Sequence, residues 1–223
     1  MTNNSVRDSA RLLGAALRAL LVLTLACGVV YPLAVTGAAQ ALFPAGANGS
    51  EVTSEGRVVG SALIGQRYDL PLRKGQETPS PDLRWFQPRP SHGLGTNSVN
   101  TQYKLILSGA TNRSADSREL IALISDAKAA VVRDNTTAGH RIDPADVPAE
   151  AVTSSGSGLD PYISPQYAAL QAHRVAERNG LDTERVEQLV ADHVRGRTLG
   201  FMGEPRVNVL ELNVALRELT AKG

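Results

Sequence analysis

Ala19-Leu-Leu-Val-Leu-Thr-Leu-Ala-Cys-Gly-Val-Val-Tyr-Pro-Leu-Ala-Val35 is the stretch that decides how the rest of this 223-residue chain is read. It lies inside a run of 32 consecutive uncharged residues, Ala19 to Ser50. A helix rises 1.5 Å per residue, so about 20 apolar residues cross the hydrocarbon core of a bilayer. Residues 19–35 fall slightly short, and the weakly polar continuation Thr36-Gly-Ala-Ala-Gln-Ala-Leu-Phe43 extends them. Arg18 can return its guanidinium to the headgroups along its aliphatic stem. The reading is one transmembrane helix near residues 15–40, containing Ala19, Leu25, Gly28, Tyr31, Pro32 and Gly37. Residues 1–14 form a tail before it, and residues 44–223 form a globular domain after it.

Two other readings compete. A cleaved signal peptide fits the basic start and the small residues Ala39-Gln40-Ala41, but the apolar run exceeds a signal core of roughly 7–15 residues. A lipid anchor on Cys27 fits poorly, because Leu23-Thr-Leu-Ala-Cys27 is a weak lipidation sequence and apolar residues continue beyond it. A buried helix of a soluble protein is disfavoured, since this segment has no polar face. Arg7, Arg11 and Arg18 precede the span against one acid, Asp8, whereas Glu51 and Glu55 are the first charges after it. Excess Lys and Arg mark the cytoplasmic side, so the N-terminus is expected inside and the domain outside.

Composition narrows the function classes. The net charge is +1, and the arginine-rich tail carries more than that, so the domain is close to neutral, about −1. That gives no electrostatic footprint for nucleic acid. The single cysteine, Cys27, lies in the span, so the domain cannot hold a disulfide. His92, His140, His173 and His193 have no ligand-like spacing, and no metal site is expected.

Along the domain, Val52 to Gln66 is rich in β-branched residues interrupted by glycine and predicts two short strands or one bent strand. Residues 69–112, with five prolines, read as an extended loop around Trp85-Phe86, with Trp85 as a core plug or an interface anchor. Asp116 and Glu119 have capping-box spacing before a helix whose inward face is Leu120, Leu123, Ile124, Ala127 and Val131. Ser164 with Pro165 starts a helix that Asn179-Gly180 stops. Asp182 starts another, with Val186, Leu189, Val190 and Val194 inward, ending at Gly196. Asn208 and Glu211 suggest a box before a terminal helix built on Val209, Leu212, Leu216 and Leu219. The expected fold is α+β: one N-terminal transmembrane helix, then a helix-rich extracytoplasmic domain with a small β-sheet.

Chemistry is scarce. There is no Gly-x-x-x-x-Gly-Lys-Ser/Thr loop, no Asp-Lys-Thr-Gly-Thr phosphorylation sequence and no His-Glu-x-x-His helix. The cluster Ser154-Ser-Gly-Ser-Gly-Leu-Asp160 offers Ser155 and Ser157 as nucleophiles of a membrane-anchored exported hydrolase, but lacks the Gly-x-Ser-x-Gly elbow. Its other reading is a structured turn, with Gly156 and Gly158 at positive φ. Gln171, Arg174, Glu177 and Arg178 share one side of the Pro165 helix, as a partner surface or a solvated face.

The chain resembles the C subunits of the Kdp-type potassium-transporting ATPases, bacterial multi-subunit P-type pumps. The resemblance rests on ordered blocks: Val30-Tyr-Pro-Leu33, Phe43-Pro44 with Ala47-Asn-Gly-Ser50, Gly60-Ser-Ala-Leu-Ile-Gly-Gln66, and Phe86-Gln-Pro-Arg-Pro-Ser91. It continues through Ser157-Gly-Leu-Asp-Pro161, Ile163-Ser-Pro165 with Gln171 and Arg174, and Val207-Asn-Val-Leu-Glu-Leu-Asn213. The chain departs from the family's Ser-Gly-Gly-Ser-Asn, carrying Ser108-Gly-Ala-Thr-Asn112. Residues 69–84 also form a longer segment than in many members.

The resemblance implies a non-catalytic subunit of the bacterial plasma membrane that helps assemble an ATP-driven potassium uptake complex. Its partners would be a channel-like potassium-translocating subunit, a P-type ATP-hydrolysing subunit and a small single-helix subunit. It further implies a catalytic chaperone that raises the ATP affinity of the hydrolysing subunit. ATP thus reaches this chain only through the complex, and potassium is the transported ion. Because charge places the domain opposite the nucleotide, that effect would run through the span. The domain is expected over the outer mouth of the channel-like subunit. Contact residues are expected at Gly60, Ser61, Gly65 and Gln66, at Arg89, and at Ser155, Ser157, Gly158, Leu159 and Asp160. Gln171, Arg174, Asn208, Glu211 and Asn213 complete the candidates. In the span, Gly28, Ala34, Gly37, Ala38 and Ala41 permit close helix–helix approach, and Pro32 can kink the helix between them.

Overall fold

The structure, a computed structural model, describes residues 3–76, 79–91, 108–110 and 112–221. The chain divides into two compact units, Met1–Ser50 and Glu51–Gly223.

The first unit is helical. Helix α1, Asn3–Leu25, passes through a π-helical turn, Ala26–Val30, into α2, Tyr31–Leu42. A one-turn α3, Pro44–Ala47, follows. The helix begins well before residue 15, because the arginines, alanines and leucines of the basic segment are strong helix formers. Pro32 has no N–H, and its ring crowds the carbonyl four residues back. The backbone widens just ahead of it, with the Tyr31 N–H reaching Ala26 O, five residues back. The expected kink is thus a π-turn, one of the established ways a helix absorbs a proline. Leu20, Leu21, Val22, Leu23 and Leu33 are all exposed, and the helix from Arg7 to Leu42 is long and apolar enough to cross a membrane.

The second unit opens with a hairpin of β1, Glu51–Ser54, and β2, Arg57–Ser61, antiparallel with a bulge between Val52 and Thr53. Glu55 and Gly56 both take positive φ, the geometry of the tight turns that match strand twist. From Asp69 to Ser91 the described chain forms neither helix nor longer strand, only the bridge Asp69–Pro81. The other parts of the expected 69–112 loop, 77–78, 92–107 and 111, lie outside the described residues, and so does His92.

Helix α4, Arg118–Asn135, is capped by Ser117, whose side chain accepts the Leu120 N–H. This corrects the expected Asp116 box: Glu119 instead pairs with Arg113. Of the expected inward face, Val131 is buried and Leu123 is exposed, because α4 contacts the domain mainly through its C-terminal half. Two single-turn 3-10 segments, Pro144–Asp146 and Ala149–Ala151, lead to β3, Tyr162–Ile163.

Helix α5, Pro165–Asn179, has the expected Ser164 cap, with Ser164 Oγ accepting the Tyr167 N–H at 3.0 Å. It stops at Gly180, where φ is 65°. Helix α6, Thr183–Asp192, ends before the expected Gly196, because residues 194–195 leave it to form β4, Val194–Arg195. Val194 is therefore exposed rather than inward. Strand β5, Arg206–Asn208, lies centrally in the antiparallel order β3-β5-β4 and runs into α7, Val209–Ala221. Asn208 caps α7 by accepting the N–H groups of Leu210 and Glu211. Glu211 does not reach back to close the box, because its carboxylate holds Arg195 at 2.6 Å.

The core lies between α5, α6, α7 and the three-stranded sheet. Ala168, Ala172, Val175, Val186, Val207, Leu212 and Leu216 are fully buried there. Alanines on α5 allow its close approach, while Phe86 fills the space from the irregular segment.

Candidate partner-contact site

Residues 83–87 have no ladder to satisfy their backbone, so side chains from two helices, α5 and α7, take that task. Asn213 of α7 accepts the Phe86 N–H and donates to Phe86 O, both at 2.9 Å. Gln171 of α5 accepts the Gln87 N–H at 2.7 Å and donates to Gln87 O at 3.1 Å. Arg174 donates to Leu83 O, to Trp85 O at 3.0 Å, to Gln171 Oε1 at 2.7 Å and to Asn135 Oδ1 at 2.8 Å. Asn179 Nδ2 reaches Arg84 O at 2.8 Å.

Gln171 and Arg174 are thus interior residues, 0% and 2% exposed. That corrects the outward face expected for Gln171, Arg174, Glu177 and Arg178, of which only Glu177 and Arg178 are exposed. Helical spacing puts the four on one broad side, but it cannot reveal that an irregular segment lies across half of it. Burial lowers the Arg174 guanidinium to about 10, so it stays charged at neutral pH among neutral acceptors.

A second set of contacts assembles the surface loops. Arg89, carried by the segment just described, pairs with Asp160 at 3.3 Å and donates to the carbonyls of Thr153 and Ser154. Asp160 Oδ1 also accepts the Tyr162 N–H at 3.0 Å. The Gly65 N–H donates to Leu159 O at 2.9 Å, and Asn208 Nδ2 donates to Ala62 O at 2.8 Å. The two segments singled out by sequence, 60–66 and 155–165, therefore lie side by side, with Arg89 and Asn208 beneath them.

Within this cluster Ser155 Oγ accepts the Gly158 N–H and Ser157 Oγ accepts the Leu159 N–H, both at 3.1 Å. Ser155 is buried, and its hydroxyl bonds that of Ser157 at 3.1 Å. Neither hydroxyl is hydrogen-bonded to a histidine among the described residues, so both act as turn formers. Gly158 takes φ 70° as expected, whereas Gly156 does not take a positive φ. Ser108 and Gly109 both donate to Ser157 O, attaching the altered 108–112 segment to the same loop.

Gly60 sets the spacing between the hairpin and α7. A Cβ there would lie 2.1 Å from Gln66 Nε2 and 3.0 Å from a Leu210 methyl. Gln66 cannot easily yield, because that same nitrogen donates to Val59 O at 2.7 Å. Gly60→Ala is expected to cost about 1–3 kcal/mol by overpacking. Denaturant unfolding should show a lower midpoint, and an unchanged midpoint would exclude this close approach.

Burial also fixes the alkaline limit. Tyr68 lies well above its ordinary value through burial, against a side-chain bond from Asn213, and burial carries Tyr167 to about 12. In the unfolded chain both release their protons near 10. As pH rises from 10 to 12 the folded state therefore holds two tyrosine protons that the unfolded state loses, and stability falls. Arg174 opposes this, because burial lowers it to about 10 in the folded state while the unfolded guanidinium keeps its proton throughout this window. Two groups against one leave a loss of about 1.4 kcal/mol per pH unit. With Tyr31, Tyr103 and Tyr162 replaced by phenylalanine, the absorbance of tyrosinate at 68 and 167 and the helix ellipticity should change together in that window; tyrosinate forming there in an intact fold would contradict it.

Among the described residues no group of three or more His, Cys, Asp or Glu is placed to hold a metal ion. His140 and His173 stack at 3.8 Å between ring centres, a pairing their sequence spacing does not reveal. Trp85 is partly buried against the core and tilts over Tyr68 at 5.9 Å. Nothing in the sequence pattern marks Gln87, Asn135 or Asn179 as hydrogen-bond partners in this network either, since polar residues in loops and at helix ends are ordinarily solvated.

A family model described as "K+-transporting ATPase, c chain" matches residues 13–218. A potassium-transporting ATPase KdpC subunit of Streptomyces avermitilis is 69% identical over 98% of this chain and 99% of its own length. The KdpC subunit of Kineococcus radiotolerans is 46% identical over 89% of each chain. That of Mycobacterium bovis is 41% identical over 92% of this chain and 96% of its own.

Proposed function

The chain belongs to the KdpC family, the c chains of the K+-transporting ATPases, and from that membership we propose that it is a non-catalytic subunit that assembles and regulates an ATP-driven potassium uptake complex. The observation carrying this reading is that the family match runs nearly end to end and includes both the apolar helix and the whole core of the domain. The helix supports it independently, because its apolar side chains are exposed among the described residues and its small residues suit contact with other membrane helices.

The arginines before the span put the N-terminus in the cytoplasm and the domain on the outer side of the plasma membrane. There the paired loops 60–66 and 155–165 contact the channel-like potassium-translocating subunit. The P-type ATP-hydrolysing subunit and the small single-helix subunit complete the assembly. ATP acts on this chain only through the complex, and the chaperone effect on ATP affinity runs through the span. Arg89 and Asp160, half-buried between the loops, hold the docking surface in one shape before a partner arrives, which lowers the entropy lost on binding.

Purification of the tagged full chain from detergent-solubilised membranes tests this. The channel-like and P-type subunits should co-elute in fixed proportion, and a chain that elutes alone sinks the reading. Protease added to right-side-out vesicles should digest the domain; protection would reverse the orientation.

A further inference from the structure

The apolar helix holds one backbone acceptor too many at its centre. The carbonyls of Cys27 and Gly28 ordinarily take the N–H groups four residues on, at Tyr31 and Pro32. The Tyr31 N–H goes instead to Ala26 O, inside the π-turn, and Pro32 has no N–H to give. The next donor along, at Leu33, serves one of the two carbonyls at most. At least one is therefore left without a partner from the helix.

Depth makes that vacancy costly. Cys27 and Gly28 stand about 12 residues, roughly 18 Å along the axis, from either end of the 15–40 span. Headgroups and bulk water do not reach there, and in hydrocarbon a backbone polar group needs a protein partner. The chain's own side chains do not supply one. A helical Thr or Cys reaches only carbonyls three or four residues back, which excludes Thr24, Cys27 and Thr36. Tyr31 is exposed, with its hydroxyl at the outer end of the ring.

The second observation is access. Gly28 puts no side chain beside these carbonyls. Apart from the helix's own backbone, only the Thr24 methyl lies within 4 Å of where a Cβ would stand, at 3.9 Å. Leu25, Tyr31 and Val35, on the same side of the helix, are all exposed.

We propose that a membrane helix of another subunit crosses at Gly28 and donates a side-chain hydrogen bond, from Ser, Thr, Asn, Gln or Lys, to the free carbonyl at Cys27 or Gly28. Small residues alone admit any apolar helix; the unpaired acceptor selects one that carries a donor. The inference rests on the reading that the span docks against other subunits, and it names the chemistry of the partner.

Infrared spectroscopy of the two carbonyls tests it. Cys27 is the only cysteine, so cysteine carrying carbon-13 at its carbonyl marks one position of the chain. Glycine labelled in the same way marks Gly28. Difference spectra against Cys27→Ser and Gly28→Ala isolate the two bands. In the full chain alone in lipid vesicles, one band should lie at the higher frequency of an unbonded carbonyl. In the purified multi-subunit complex that band should move to lower frequency. Pro32→Ala, which restores an N–H, should remove the unbonded band from the chain alone. Two bonded carbonyls in the chain alone would overturn the proposal, whether lipid, water or a second copy supplies the donor. So would an unbonded band that persists in Pro32→Ala or in the complex. If the chain co-elutes with its partners and the carbonyl stays unbonded, only this inference falls; if the chain elutes alone with the carbonyl unbonded, the docking reading falls with it.

Discussion

Arg174→Met should destabilise the domain by about 3–5 kcal/mol, the range for removing one member of a buried charged network. Methionine roughly preserves the stem volume, so the loss isolates the guanidinium. The acceptors left behind are the carbonyls of Leu83 and Trp85 and the side chain of Asn135, and backbone carbonyls cannot be mutated away. Gln171 Oε1 keeps the Gln87 N–H, so that end of the network survives. Arg174→Lys should recover only part of the loss, because one ammonium cannot reach acceptors on both flanks of the guanidinium plane. Trp85, the only tryptophan, sits on the affected segment and reports the change. Denaturant unfolding followed by its fluorescence should show the midpoint shift. A cost of less than about 1 kcal/mol would mean that the network is dispensable.

The second large effect falls on the same segment from its apolar side. Phe86 is 0% exposed within the main core cluster. Phe86→Ala should cost about 3–5 kcal/mol through lost transfer energy and an unfilled cavity. Collapse of the chain into that cavity is restricted, because Asn213 holds both the N–H and the C=O of residue 86. The expected value is therefore at the upper end of the range. In thermal unfolding this corresponds to a fall of roughly 10 °C or more for a domain of this size. Relaxation of the segment into the space would show as a cost near 1–2 kcal/mol and would contradict the pinned geometry. Arg174 and Phe86 act on one stretch of backbone, so their double variant should be less than additive.

Both effects explain where sequence reading succeeded and where it could not. The Ser164 cap, Pro165 and the Gly180 stop define α5 because each acts within four residues of itself. The π-turn ahead of Pro32 follows equally from local sterics, although its form does not. Strands of two or three residues, such as β3 and β4, carry no period to detect. The cap at α4 went to Ser117 rather than Asp116, a one-residue choice between two good capping side chains that spacing alone cannot make. Gln171, Arg174 and Asn213 are polar, and polarity at helical spacing suggests a solvated face. Their burial follows from an irregular segment, 83–87, whose own backbone needs partners.

The sequence by itself determined the long apolar helix, most of the helices of the domain and the family. Uncharged length, caps, stops and ordered motif blocks are local properties, and each survives whatever the rest of the chain does. Only the tertiary structure decided which polar residues are interior, that loops 60–66 and 155–165 meet, and that the 198–202 turn stands out with apolar side chains exposed. Those outcomes depend on which unpaired backbone groups and surfaces are brought together across more than a hundred residues, as with Phe86 and Asn213, 127 apart in sequence. Hydrogen-bond satisfaction and burial are properties of that assembled interior, and no window of sequence contains them.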